Sequence, residues 1–136
     1  MKAIAKITAL LLLIVNGTGA LYGGLHMIAD PSGAGLQMPL SFLEHSPFQS
    51  YLIPGIILLI VNGILSFVAI AALILKARYY AWFIIMQGVI LAGWITVQVI
   101  LLRLFYAPLH ATFLAIGVCL IGCGLYLNER KILQNR

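Results

Sequence analysis

Four apolar runs, each long enough to cross a bilayer, decide what this chain can fold into. They are residues 4–28, 52–75, 80–102 and 108–127. A helix rising about 1.5 Å per residue needs roughly 20 apolar residues to cross a hydrocarbon core about 30 Å thick. A closed β-barrel is the only other way to satisfy the backbone inside lipid, and none of these runs alternates with period two. The expected fold is therefore all-α: an antiparallel four-helix transmembrane bundle, in one domain covering residues 1–136. The composition agrees, at 63% hydrophobic and 8% charged residues. A soluble domain of this size carries roughly 25% charged residues to cover its surface. The excess apolar surface must face lipid.

The net charge of +5 does not point to nucleic acid, because the basic residues flank the apolar runs. Lys2, Lys6, Lys76, Arg78, Arg130, Lys131 and Arg136 fall on one side of the expected bundle, and only Arg103 falls on the other. Positive charge gathers on the cytoplasmic side of short-looped membrane proteins. Both termini are thus expected in the cytoplasm. Tyr79, Tyr80, Trp82 and Tyr126 would form the inner aromatic belt, and Tyr51, Phe105 and Tyr106 the outer one. A signal peptide is the competing reading of the first run, with Thr18-Gly19-Ala20 as a poor cleavage site. Apolar character continues past Ala20 to Ile28, which favours a span.

The connections are unequal. Helices two and three are joined by little more than Lys76-Ala77-Arg78, and three and four by residues 103–107. Short links force antiparallel neighbours. Residues 29–51 make a long outer loop, which we expect to be ordered and to lie as a lid over all four helices. Asp30-Pro31-Ser32-Gly33 suits a type I turn. Ser46-Pro47 could cap and open helix two, which would place Pro54 in its first turns. Leu36, Met38, Phe42 and Phe48 are the apolar residues available to cover the bundle.

The hexapeptide LLIVNG occurs twice, at residues 12–17 and 58–63, and puts Asn16 and Asn62 near mid-membrane. A buried amide without a partner costs several kcal/mol in hydrocarbon, so both must face protein or water. They could bond each other. Gln87, Trp94 and Gln98, spaced seven and four apart, share a helix face, and Gln98 lies within reach of the Trp94 indole N–H. Together the five predict a polar seam, serving either as a site between inverted repeats or as interhelical glue. No membrane-embedded carboxylate accompanies them, which argues against a proton-coupled exporter. Cys119 and Cys123 stand four apart with no loop cysteine. They read, with Ala111 and Ala115, as a small-residue packing stripe like Gly19 and Gly23, not as a redox pair.

The ionisable residues of the outer side are His26, Asp30, Glu44, His45, Arg103 and His110. They are candidates for binding a charged small molecule or headgroup beneath the lid. His26 and Asp30, one turn apart, could also ligate a metal ion completed by Glu44, His45 or His110, and His26 with His110 could hold a haem. No HxxxH or HxxE spacing occurs in the chain. No cofactor is expected.

The segments NGTGALYGG, DPSG, SPF and YLIPG resemble those of small four-span bacterial membrane proteins. The resemblance covers helix one, the outer loop and the start of helix two. It implies a bacterial inner-membrane location and carries no activity across. The functional expectation is non-enzymatic: binding or passage of a small or lipid-like ligand at the outer half of the bundle. The alternatives are an accessory subunit docking a partner through small-residue faces, and a metal- or haem-dependent enzyme. The bilayer is the expected partner. Four spans make a thin wall for any pore, so the reading includes a homodimer or a larger membrane complex.

Overall fold

The computed structural model describes all residues 1–136. It is all-helical, with four helices long and apolar enough to cross a membrane: α1 Lys2–Ala29, α2 Leu52–Ile74, α3 Tyr80–Leu102 and α4 Ala107–Gln134. Only 28–33% of each helix's most apolar window is buried inside the bundle. Large side chains such as Ile7, Leu11, Ile53, Val89, Ile100 and Val118 point outward. Water would not tolerate so continuous an apolar exterior. These four helices make a multi-pass membrane protein the reading that the fold supports.

The helices form a ring in which α1 packs on α2 and α4, and α3 packs on α4 and α2. The closest pairings are α1 with α2 and α3 with α4. Each is made by glycines meeting backbone to backbone. A Cβ on Gly24 would lie 2.9 Å from the Gly55 carbonyl oxygen, and one on Gly88 would lie 2.7 Å from that of Gly117. Between helices in lipid no hydrophobic force acts, so such close approach supplies the dispersion contacts that hold them. Leu13, Ile84, Leu91, Leu120 and Leu127 fill the interior between the pairs and are essentially inaccessible.

The small-residue stripe expected on helix four is not the packing face. Ala111, Ala115 and Cys119 are exposed and Cys123 is half-buried, while Gly117 and Gly124 carry the contact with α3. All six residues are small, so their size could not show which way the helix is turned. Helix ends also moved. The helix of the fourth run continues past residue 127 to Gln134, since Glu129, Arg130 and Lys131 favour helix wherever the apolar run stops. Helix two opens at Leu52, where its apolar run begins, and not at the alternative start Pro47. Ser46 turns its hydroxyl to the Leu43 carbonyl at 2.8 Å and stays in the loop.

Lys76 and Arg103 adopt left-handed backbone, φ 53° and 50°, just past the ends of α2 and α3. After α2 the chain closes a Schellman motif, Ala77 N–H to the Ala72 carbonyl at 2.9 Å and Lys76 N–H to that of Leu73 at 3.3 Å. A cation at each position complements the negative end of the helix dipole.

Candidate functional site

The polar interior comes from three helices. The second LLIVNG copy lies in a π-helical stretch, Leu58–Ile64, whereas the first is ordinary α-helix. Such wide turns are frequent at functional positions. Asn62 and Gln87 are both fully buried, and Gln87 Nε2 donates to Asn62 Oδ1 at 3.4 Å and to the Val61 carbonyl at 3.3 Å. Asn62 Nδ2 and Gln87 Oε1 are left without partners. Asn16 Nδ2 donates instead to Ser66 Oγ at 2.9 Å. The two asparagines therefore do not bond each other; each is tied to a different residue. Ser66 was not singled out from the sequence, although it sits one turn beyond Asn62 on the same buried face. Trp94 and Gln98 do not pair either. Both are half-buried and line a cavity nearer the outer end.

That cavity, about 70 Å³, lies beneath the outer loop. The loop is built as the sequence suggests at its start. Gly33 N–H closes the turn on the Asp30 carbonyl at 3.1 Å. Asp30 Oδ1 accepts from the Ser32 hydroxyl at 2.5 Å and from Ser32 N–H at 3.2 Å, and Oδ2 accepts from Gly35 N–H at 3.0 Å. The Ser32 hydroxyl and the Gly35 amide hold this carboxyl below its ordinary value. Gly33 has φ 77°, and a Cβ there would fall 2.6 Å from the Tyr51 ring. Tyr51 joins the two ends of the loop: its N–H donates to the Pro31 carbonyl and its hydroxyl to that of Pro39, each at 2.9 Å.

Met27, Leu43 and Tyr51 form a small buried cluster, with Leu36, Met38, Phe48, Leu58 and Leu102 packed around it. Phe42 is half-buried but joins neither this cluster nor the cavity wall. The cavity adjoins the cluster and extends along α3 past Trp94 and Gln98. No residue of α4 contributes to either. The cluster and the cavity wall join the loop to α1, α2 and α3.

The charged outer residues do not converge. His26 is exposed, bonds the Tyr22 carbonyl through Nδ1 at 2.7 Å and lies tilted at 40° against the Tyr22 ring. The Asp30 oxygens are engaged by their own turn. Glu44, His45 and Arg103 are exposed, and Arg103 serves as the C-cap of α3. His110 is buried, accepts the Tyr106 N–H on Nδ1 at 2.8 Å and stacks on Phe105, closing the first turn of α4. Accepting there puts the ring proton on Nε2. None of the six lines the cavity. No three His, Cys, Asp or Glu side chains lie close enough to hold a metal ion. His26, Asp30 and His110, read from the sequence as potential ligands, are thus occupied separately. Both cysteines are free thiols.

Comparison with known proteins returns no matching family model, no matching curated protein and no matching solved structure.

Proposed function

We propose that this is a bacterial inner-membrane protein with both termini in the cytoplasm, and that it binds the apolar chain of a lipid-like ligand in the cavity beneath the outer loop. The carrying observation is the chemistry of the cavity wall. Met27, Leu43, Trp94 and Leu102 make it predominantly apolar, and Gln98 supplies one of its few polar groups. Binding sites of this type are mostly apolar with a few polar groups that fix orientation. The charged residues stand elsewhere, so apolar contact and Gln98 would select the ligand instead of an ion pair. The loop, tied at both ends by the Tyr51 bonds to Pro31 and Pro39, would retain the chain by covering one side of it.

Protein purified in mild detergent should keep a sub-stoichiometric to stoichiometric amount of an acyl-chain compound, detectable by native mass spectrometry. Val97→Phe, which places a ring into the cavity wall, should lower that retention at least severalfold without loss of helicity. Equal retention by both proteins would exclude this cavity as the site.

The topology is supported by the Lys/Arg asymmetry and tested separately. In a background lacking Cys119 and Cys123, Ser32→Cys should react with an impermeant thiol reagent on intact cells. Asn135→Cys should react only after lysis. The reverse order would overturn the orientation.

A further inference from the structure

A second cavity, about 260 Å³ in volume, lies at the opposite end from the outer loop, where α4 ends beside the turn into α3. Its walls carry Arg78 from the turn, Tyr79 and Trp82 from the N-cap and first turn of α3, Asn128 and Lys131 from α4, and Asn135 from the cap that ends α4. Asn128 and Lys131 are three apart, so one helix face supplies both. No acidic residue lines the cavity. The nearest in sequence, Glu129, lies between two wall positions of α4 but is not on the wall.

The two cations are placed by aromatic rings, not by ion pairs. The Arg78 guanidinium lies 5.3 Å from the Tyr79 ring centroid, and the Lys131 ammonium 5.6 Å from that of Tyr80. Lys6 of α1 lies over the same Tyr80 ring at 5.3 Å. Cation–π contact orients a cation while leaving its N–H groups free to donate. Asn128 and Asn135 add side-chain amides to the same wall, and Trp82 is a half-open apolar surface of the sort found at bilayer interfaces. In the sequence Arg78 and Lys131 signal only topology. The fold brings them from residues 53 positions apart to one concavity.

We infer that this cavity binds a phosphate-bearing anion. A guanidinium presents a planar fork that matches phosphate oxygens, and a lysine adds a point charge. The adjoining Trp82 and Ile132 suit the glycerol and upper chain of a phospholipid. Basic pockets between helices at a membrane face are the usual setting for anionic headgroups. The source of the phosphate is an anionic lipid headgroup or a soluble phosphate, and the two share this recognition chemistry. The site is separate from the apolar cavity under the outer loop and does not depend on it.

Trp82 and Trp94 are the only tryptophans, so Trp94→Phe leaves Trp82 as a reporter on the cavity wall. That protein in phosphatidylcholine nanodiscs should show a saturable change in Trp82 emission with short-chain phosphatidylglycerol. Arg78→Gln and Lys131→Gln should each weaken it by about fivefold, the effect of one basic residue at a membrane surface. Arg130→Gln removes the same charge, but Arg130 lies over Tyr126 and off the wall. It should leave the affinity unchanged, and it also controls for folding. Saturation by inorganic phosphate, weakened in the same two variants, supports the site with a soluble ligand; saturation by the lipid alone supports it with a headgroup. Equal responses to short-chain phosphatidylcholine, or an Arg130→Gln effect as large as that of Arg78→Gln, would overturn it. So would the absence of any response to both phosphate probes.

Discussion

Replacing Gly88 with leucine is expected to separate α3 from α4 and to abolish cooperative unfolding of the bundle in detergent. The Cβ alone would sit 2.7 Å from the Gly117 carbonyl oxygen and 2.9 Å from the Ile121 amide nitrogen. Both are backbone atoms, so no rotamer change relieves the contact and the helices must move apart. The approach is reciprocal, since a Cβ on Gly117 would lie 3.0 Å from the Gly88 carbonyl oxygen. Overpacking typically costs about 1–3 kcal/mol, and here it also removes the close contact that substitutes for hydrophobic driving force in lipid. Gly93 provides the internal comparison. It lies on the same helix with nothing within 4 Å of a Cβ, so Gly93→Leu should change stability by no more than about 0.5 kcal/mol. Thermal unfolding followed by circular dichroism reads both. If Gly88→Leu melts with Gly93→Leu, the α3–α4 crossing is misplaced.

The second large effect concerns the half-satisfied amide pair between α2 and α3. Asn62→Leu and Gln87→Leu should each destabilise by about 1–3 kcal/mol, because each leaves the other amide with fewer partners in a dry interior. Replacing both should cost less than either alone. Asn62 Nδ2 and Gln87 Oε1 already lack partners in the native fold, and exchanging a poorly satisfied polar pair for apolar side chains of similar size can be neutral or stabilising. The coupling energy from the double-mutant cycle should exceed about 0.5 kcal/mol. Asn16→Leu, by contrast, removes the bond to Ser66 and shares no partner with Asn62. Its effect should add to that of Asn62→Leu within about 0.5 kcal/mol. Additive Asn62 and Gln87 effects would show that these two amides do not meet.

The outer loop shows how far local chemistry reaches. Its opening turn was legible because Asp30, Pro31 and Gly33 each satisfy a position of a four-residue pattern, and the bonds that close it are local. The far end was not legible. Tyr51 reads from the sequence as a belt aromatic, but it is buried and bonds Pro31 and Pro39 across the loop. The charged outer residues line no part of the cavity beneath the loop, for a related reason. Depth in the membrane can be read from position along a helix, but whether His26 and His110 meet depends on how two helices are rotated about their axes.

The number of helices and their approximate limits were determined by the sequence alone. A long apolar run satisfies its backbone within itself as a helix, whatever its neighbours do. The repeated hexapeptide marks the limit of that reasoning. LLIVNG in α1 is α-helical and directs Asn16 to Ser66, while LLIVNG in α2 is π-helical and directs Asn62 to Gln87. Six identical residues cannot encode two backbones or two partners. The difference comes from the setting: Gly24 against Gly55, Gly63 against Leu21, and Gln87 of a third helix reaching the Val61 carbonyl. The basic cavity at the other end has the same origin, because only the ring of helices brings Arg78 beside Lys131. Those choices belong to the tertiary structure, where the rotation and separation of each helix are set by contacts distant in the chain.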